Sequence, residues 1–301
     1  MKNTKQWTVA VAGSSRIPVK KILSRLDNNY HLIRISGKQP PEKKWKNQDC
    51  HTCDLFNPTS VEKGLQHANL AIFLYPTEFT AARLSQATLP DMAVLAADSF
   101  ARAIRKTGIK KIIFIKPEES NGMISNDSLV EVEKVLSSSG VPIRTISIPV
   151  RLFRYQSQWH GAADGVRSIQ RVTLPHGKDA KWAAFHYPNW LNRAGWPLIK
   201  TEWRKNFCNV YFRSLTRPLL VLHYSEENSD TDRAVYHIAG GALAADLAGR
   251  LEFCQLPASN HCLIAIHEFQ PSLPWLVYKY SQAIIHLLVM GLFKKHLERI
   301  A

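Results

Sequence analysis

Residues 7–26, WTVAVAGSSRIPVKKILSRL, set the plan that the first half of the chain follows. Residues 8–12 are apolar and β-branched, as in a buried strand. A tight turn follows at Gly13, and from Ile17 onward apolar residues recur at helical spacing opposite lysines and arginines. Because a strand, a glycine turn and a helix in this order place the free N–H groups of a helix N-terminus beside a pyrophosphate, the stretch predicts a dinucleotide-binding unit.

The glycine pattern of this turn is incomplete. The fingerprint needs three glycines, and here Gly13 is followed by Arg16 and Val19 at the next two positions. Without the middle glycine, a phosphate meets a less accessible backbone, although the Arg16 guanidinium offers a charged contact instead. The alternative interpretation is a Rossmann-type domain that has lost its nucleotide.

Strand and helix patterns alternate along the first half with short connections. Further strands are predicted at residues 31–36, 70–74, 111–115 and 143–148, and helices at 61–67, 92–107 and 129–136, whereas 77–91 is read as a polar excursion. This alternation predicts an α/β fold with a doubly wound parallel sheet.

The order of residues in this half resembles the atypical short-chain dehydrogenases, in the branch related to nitrogen-metabolite repressor proteins. The resemblance covers about residues 7–153, and its motifs are VAG at 11–13, CDL at 53–55, ANLAIFL at 68–74, FARAIRKTGIKKIIF at 100–114 and VEKVLSSSGVP at 132–142. It implies an NAD(P)-binding domain over residues 1–153. The residues that it assigns to the pyrophosphate are Gly13, Ser14, Ser15, Arg16 and Ile17. Those that it places beside the adenine are Asp54 and Leu55, and those on the nicotinamide side are Leu74, Tyr75, Pro76, Ile115 and Lys116. Asp54 has a simpler interpretation as the cap of the turn at Asn57.

The residues after the second predicted strand bear on which cofactor binds. Dinucleotide folds often carry a carboxylate here for the ribose hydroxyls, and this chain has Ser36, Gly37 and Lys38. Lys38 and Lys43 would suit a 2′-phosphate, which favours NADP over NAD. A solvated basic loop is the simpler interpretation.

The catalytic mark of the wider dehydrogenase superfamily is absent. In the Tyr-x-x-x-Lys pair, the lysine lowers the pKa of the phenol so that it can exchange a proton near neutral pH. No tyrosine of this chain has a lysine four residues on. Reductase chemistry by this route is therefore not expected.

The second half has a different organisation. A strand at residues 166–174 precedes a helical stretch at 179–191 that is predicted to break at Pro188. Six strand candidates and one long helix over 275–297 follow. This order resembles the START-like helix-grip (SRPBCC-type) fold, with a domain over 165–301. The fold implies a cavity between sheet and helix for an apolar small molecule or lipid. The candidate lining residues are Leu276, Tyr280, Ile284, Leu287 and Leu288, for which an ordinary packed core is the alternative.

Composition sets further limits. The chain of 301 residues is 45% hydrophobic and carries a formal net charge of +15, spread over both halves. We expect a basic surface with no nucleic-acid partner, no metal site and incidental reduced cysteines, including the pair Cys50 and Cys53.

Lys279, Gln282 and His286 interrupt the last helix, so we predict no transmembrane segment, although contact with an acidic membrane surface is compatible with its lysines. No export signal is recognised, so a cytoplasmic location is expected. Oligomeric state is left open.

Together these features predict a protein that binds NAD(P) in one domain and an apolar molecule or lipid in the other, without Tyr/Lys chemistry. Two alternatives are an NAD(P)H-dependent oxidoreductase acting on a hydrophobic substrate held between the domains, and a non-catalytic interaction protein with a vestigial nucleotide pocket.

Overall fold

The computed structural model of the chain describes residues 7–13, 30–36, 48–76, 79, 82–118, 125–149 and 165–301. By the density of internal contacts the chain divides into two compact units. The first comprises residues 1–81 and 92–161, and the second comprises 82–91 and 162–301.

The first unit is built on a parallel sheet, to which the described residues contribute six strands. These are β1 (Trp7–Ala12), β2 (Tyr30–Ser36), β3 (Gln48–Thr52), β4 (Leu70–Leu74), β6 (Ile112–Pro117) and β7 (Ile143–Ile148), and the sheet order is β3-β2-β1-β4-β6-β7. All five neighbouring pairs run parallel. The order steps outward from β1 in both directions, which is the Rossmann topology. The predicted α/β class with a parallel sheet is confirmed.

The helices of this unit follow the predicted apolar periodicity closely. They are α1 (Pro58–Leu65), α2 (Leu89–Arg105, whose first three residues are grouped with the second unit) and α3 (Asn126–Ser137). The predicted first helix, from residue 17 onward, lies outside the described residues. Strand β3 was not predicted, because QDCHT is polar and pairs with β2 alone at the edge of the sheet.

The second unit contains a mostly antiparallel sheet of eight strands in its described residues. These are β5 (Leu84–Gln86), β8 (Val166–Thr173), β9 (Ile199–Arg204), β10 (Phe207–Phe212), β11 (Leu220–Tyr224), β12 (Arg233–Gly240), β13 (Arg250–Gln255) and β14 (His261–Phe269). Their order is β5-β8-β14-β13-β12-β11-β10-β9, and only β5, from the stretch predicted as a polar excursion, pairs parallel. The predicted antiparallel sheet and long C-terminal helix are confirmed.

Helix α4 (Ala180–Ala194) continues through Pro188, where the sequence predicts a break. A proline has no N–H to donate to the carbonyl four residues earlier. Here the hydroxyl of Tyr236 donates to that carbonyl, on Ala184, at 3.1 Å. A neighbouring strand thus satisfies the acceptor that Pro188 leaves open, and the helix continues.

The C-terminal segment is two helices where one was predicted. Helix α5 (Trp275–Tyr280) ends at Ser281, and α6 (Gln282–Arg299) begins directly after it. Taken together, residues Trp275–Arg299 are long and apolar enough to cross a membrane by length and composition, with a mean hydropathy of 1.4 in the most apolar window. The absence of a transmembrane segment stays a prediction.

Candidate functional site

The carboxyl edge of the parallel sheet is organised around the contact between β1 and β4. These strands are neighbours, with Ala12 paired to Phe73. The chain continues from β1 into Gly13, whose φ of +111° lies in the region that favours glycine. A Cβ on Gly13 would lie 2.5 Å from the carbonyl oxygen of Leu74 and 2.9 Å from its Cβ. Only glycine therefore allows the turn after β1 to pass this close to the end of β4.

This contact lies at the topological switch point of the sheet. β2 lies on one side of β1 and β4 on the other, so the connections leaving β1 and β4 diverge. In open α/β sheets, ligands bind in the crevice outside the carboxyl ends of the strands at this point. The remaining residues predicted to hold the pyrophosphate, Ser14, Ser15, Arg16 and Ile17, lie outside the described residues, as does Lys38.

Asp54 and Leu55 lie two and three residues after the end of the edge strand β3. The Asp54 Oδ1 accepts a hydrogen bond from the backbone N–H of Phe56 at 3.0 Å, and the Asp54 carbonyl accepts from that of Asn57 at 3.1 Å. Asn57 caps α1, accepting from the backbone N–H of Thr59 at 3.1 Å. The side-chain Oδ1 and the backbone carbonyl of Asp54 therefore both hold the turn, as the simpler interpretation predicts, while the Leu55 side chain is buried.

Tyr75 directly follows β4 and is completely buried. Its backbone N–H donates to the Ile115 carbonyl at 2.8 Å, which continues the pairing of β4 with β6. Its hydroxyl lies 3.1 Å from the Oγ of Ser128, in the first turn of α3. Burial raises the pKa of the Tyr75 phenol, and the Ser128 hydrogen bond only partly opposes this. A general acid working near neutral pH needs a lowered pKa, so this phenol does not provide one.

The other residues predicted on the nicotinamide side divide between buried packing and a polar pair. Leu74, Pro76 and Ile115 are buried. The Lys116 Nζ lies 3.8 Å from Glu133 Oε2, and Glu133 Oε1 accepts from the Thr145 hydroxyl at 2.5 Å. Lys116 is therefore oriented toward α3, where its ammonium is balanced by a carboxylate.

The five residues predicted to line a cavity in the second unit lie on the outside. Leu276, Tyr280, Ile284, Leu287 and Leu288 are between 42% and 68% exposed. The inner side of the helices consists instead of Tyr278, Ala283, Met290, Phe293 and Leu297, which belong to the core of this unit. The prediction of a cavity lined by the five residues is therefore corrected. Both sides of the helix are apolar, so its sequence could not show which side faces inward.

A buried ionic network in the same unit was not predicted. The Glu252 Oε2 accepts from Arg233 Nη2 at 2.6 Å, and its Oε1 accepts from Arg250 Nε at 2.6 Å. Arg250 Nη1 also donates to Glu268 Oε2 at 3.0 Å. All of these except Glu268 are buried. The sequence pattern that could have indicated this network is the alternation of charged and apolar residues along β13. Arg250 and Glu252 alternate with Leu251 and Phe253, and alternate residues of a strand share a face.

His267, a buried histidine beside this network, lies opposite Arg250 in the β13–β14 register. Burial, and after it the charges of Arg250, Arg167 and Arg233, hold its pKa well below the usual value. An environment that disfavours a proton also disfavours a cation. Among the described residues, no group of three or more histidine, cysteine or acidic side chains has the arrangement of a metal site.

Comparisons with known proteins give one similarity over most of the chain. No protein-family model matches. The chain is 25% identical over 288 residues to the auxiliary protein GraX of Staphylococcus aureus, a match that covers 91% of this chain and 88% of that protein. The similarity therefore spans both units.

Solved structures give weaker matches. The Bordetella bronchiseptica enzyme WbmH, in complex with NAD+, is 11% identical with a TM-score of 0.35, over 48% of this chain and 56% of that one. A Rossmann-fold NAD(P)-binding family protein from Shigella flexneri is 12% identical with a TM-score of 0.35, over 47% of this chain and 66% of that one. The Rossmann assignment rests on the strand order of the sheet.

Proposed function

We propose that the first unit binds a dinucleotide of the NAD(P) type and that the protein is a non-catalytic auxiliary protein. The close passage of Gly13 past Leu74 carries the first part of this proposal. It brings the chain at the end of β1 against the end of β4 at the switch point, where a phosphate of the cofactor would lie. Arg16 would supply the cationic contact that the missing glycines do not.

Tyr75, the tyrosine assigned to the nicotinamide side, is unsuited to reductase chemistry. Its hydroxyl is buried against Ser128 and has a raised pKa, and the chain has no Tyr-x-x-x-Lys pair. The oxidoreductase alternative therefore has no tyrosine suited to donate a proton among the residues assigned to the nicotinamide side, and the Lys116 ammonium there is paired with Glu133. GraX is named an auxiliary protein, and we extend an auxiliary role to this chain.

We also infer that the second unit is a helix-grip domain. One strand, a helix, six antiparallel strands and two terminal helices follow one another, and the first of these strands pairs with the last. Because the five predicted cavity residues face outward, we propose that an apolar partner binds this unit on the outside of α5 and α6 rather than beneath them.

Calorimetry of the full chain with NADPH and with NADH tests the dinucleotide proposal. A hydrogen bond to a charged group contributes about 1.5–3 kcal/mol, so Arg16→Ala should weaken binding about tenfold or more. Lys63→Ala, which removes an exposed lysine from α1, should leave the affinity unchanged. Lys38→Ala should weaken NADPH binding more than NADH binding if the 2′-phosphate is recognised.

Two outcomes would overturn the proposal. If the parent binds neither nucleotide, the pocket is vestigial and the interaction-protein alternative replaces it. If the parent oxidises NADPH in the presence of lipophilic carbonyl compounds, the protein is an oxidoreductase that uses a different proton donor.

A further inference from the structure

Helices α5 and α6 carry an outward apolar face that extends over four turns. Its members, called here the outer face, are the large side chains exposed between 42% and 68%: Leu276, Val277, Tyr280, Ile284, Ile285, Leu287, Leu288 and Leu292. Single exposed apolar residues are ordinary on protein surfaces, but a contiguous group of this size marks an interaction site.

The opposite side of these helices is fixed to the second unit along its length. Met290, Phe293 and Leu297 are buried in the core of this unit. The Nε2 of His286 lies 3.1 Å from the hydroxyl oxygen of Ser168, and the Gln86 side chain donates to the Ala283 carbonyl at 3.3 Å. The outer face is therefore held away from the core of its own unit.

The polar groups beside the outer face are mainly cationic. Exposed Lys294, Lys295 and Arg299 follow it on α6, Lys279 lies within α5, and Glu298 is the only carboxylate of these two helices. The chain as a whole carries +15. A second copy would place like charges together at this surface, and a partner with negative charge is favoured instead.

We propose that the outer face binds the surface of an anionic lipid bilayer, with α5 and α6 lying in the plane of the interface. The apolar side chains would enter the boundary between head groups and acyl chains, while the lysines and arginine contact anionic head groups. The helices bind in the plane and do not span, because their inner side remains packed on the second unit.

Co-sedimentation of the full chain with vesicles tests this proposal. Vesicles of phosphatidylcholine mixed with phosphatidylglycerol should bind the protein at low salt, and pure phosphatidylcholine vesicles should bind it much less. Each basic side chain near an anionic surface contributes about fivefold in affinity, so Lys294→Gln with Lys295→Gln should weaken binding by about an order of magnitude or more. High salt should reduce binding in the same way.

Substitutions in the outer face separate insertion from simple charge attraction. Ile284→Glu with Leu288→Glu should reduce binding at least tenfold, because inserting either glutamate would place a charged carboxylate in the apolar region of the bilayer. Leu247→Glu is the matched control, since Leu247 is 65% exposed in the same unit but outside α5 and α6. Ile284→Trp should strengthen binding, because tryptophan favours the interface. Circular dichroism checks that each variant is folded.

Three results would overturn the proposal. The first is no binding of the parent to mixed vesicles, and the second is equal binding to both vesicle types. The third is light scattering that gives a dimer which Ile284→Glu with Leu288→Glu dissociates, because a second copy then covers the outer face.

Discussion

The imidazole rings of His186 and His296 contact each other across α4 and α6, with their Nε2 atoms 2.9 Å apart. The two rings cannot both donate at this contact, so the hydrogen bond forms only while at least one of the two Nε2 atoms is unprotonated. Burial is the main cause that lowers the pKa of each ring. The neighbouring Arg193 lowers both further, and Arg299 lowers that of His296. The same ring of His186 stacks on Trp182, with centroids 4.3 Å apart.

This pair predicts a pH-dependent stability of the second unit. Because both folded pKa values lie below the ordinary 6.5, the unfolded state binds more protons as the pH falls, and stability decreases from about pH 6.5 downward. His286, whose pKa burial lowers to about 4, acts in the same direction. When the free energy of unfolding is measured with guanidinium at pH 7.5 and at pH 5, the decrease between the two pH values should be smaller for His296→Gln than for the parent. Equal losses would show that this contact is not what titrates.

Gly13→Ala should destabilise the first unit. The substitution forces an L-residue to a φ of +111° and places a Cβ 2.5 Å from a backbone oxygen. Backbone strain of this kind costs about 1–3 kcal/mol. Gly108→Ala is the control, because a Cβ there meets nothing within 4 Å. Thermal unfolding should show a clear decrease in Tm for the first variant only. A Gly13→Ala protein as stable as the parent would contradict the close approach of Gly13 to Leu74.

Tyr75→Phe should cost about 1 kcal/mol of stability, because it removes the hydrogen bond to Ser128 and leaves that hydroxyl buried. Dinucleotide affinity should remain within twofold of that of the parent, since the phenol lies in the interior. The double variant with Ser128→Ala should be no less stable than the sum of the two single variants predicts. A large loss of dinucleotide affinity in Tyr75→Phe, with stability retained, would instead place this hydroxyl at the ligand.

Glu252→Gln should be the most destabilising of these changes, at about 3–5 kcal/mol, because it leaves buried Arg233 and Arg250 without the carboxylate that both contact. Glu202→Gln is the matched control on the same sheet. Its ion pair with Lys200 is screened by solvent, so removing the charge should change the free energy of unfolding little. Guanidinium unfolding measures both variants, and similar free energies of unfolding would argue against the buried network.

Much of the fold could be predicted because many of its strands are apolar or alternating runs between polar turns. β4, β7 and β13 begin and end at the predicted residues. β3 and β5 were missed because each lies at the edge of a sheet and has a polar composition, so pairing with a neighbour rather than hydrophobic burial defines it. The candidate nucleotide site was predicted at Gly13 because the glycine precedes a helical pattern directly after a strand.

The sequence alone determined the order of most strands and helices in both units, the presence of one glycine at the β1 turn and the lack of a Tyr-x-x-x-Lys pair. These are local properties, set by residue type and spacing. Only the tertiary structure decided that α4 continues past Pro188, that Glu252 joins two arginines and that Ile284 and Leu288 face outward. Each of these depends on which residue of a distant element lies opposite, and a helix that is apolar on both sides carries no pattern that could specify it.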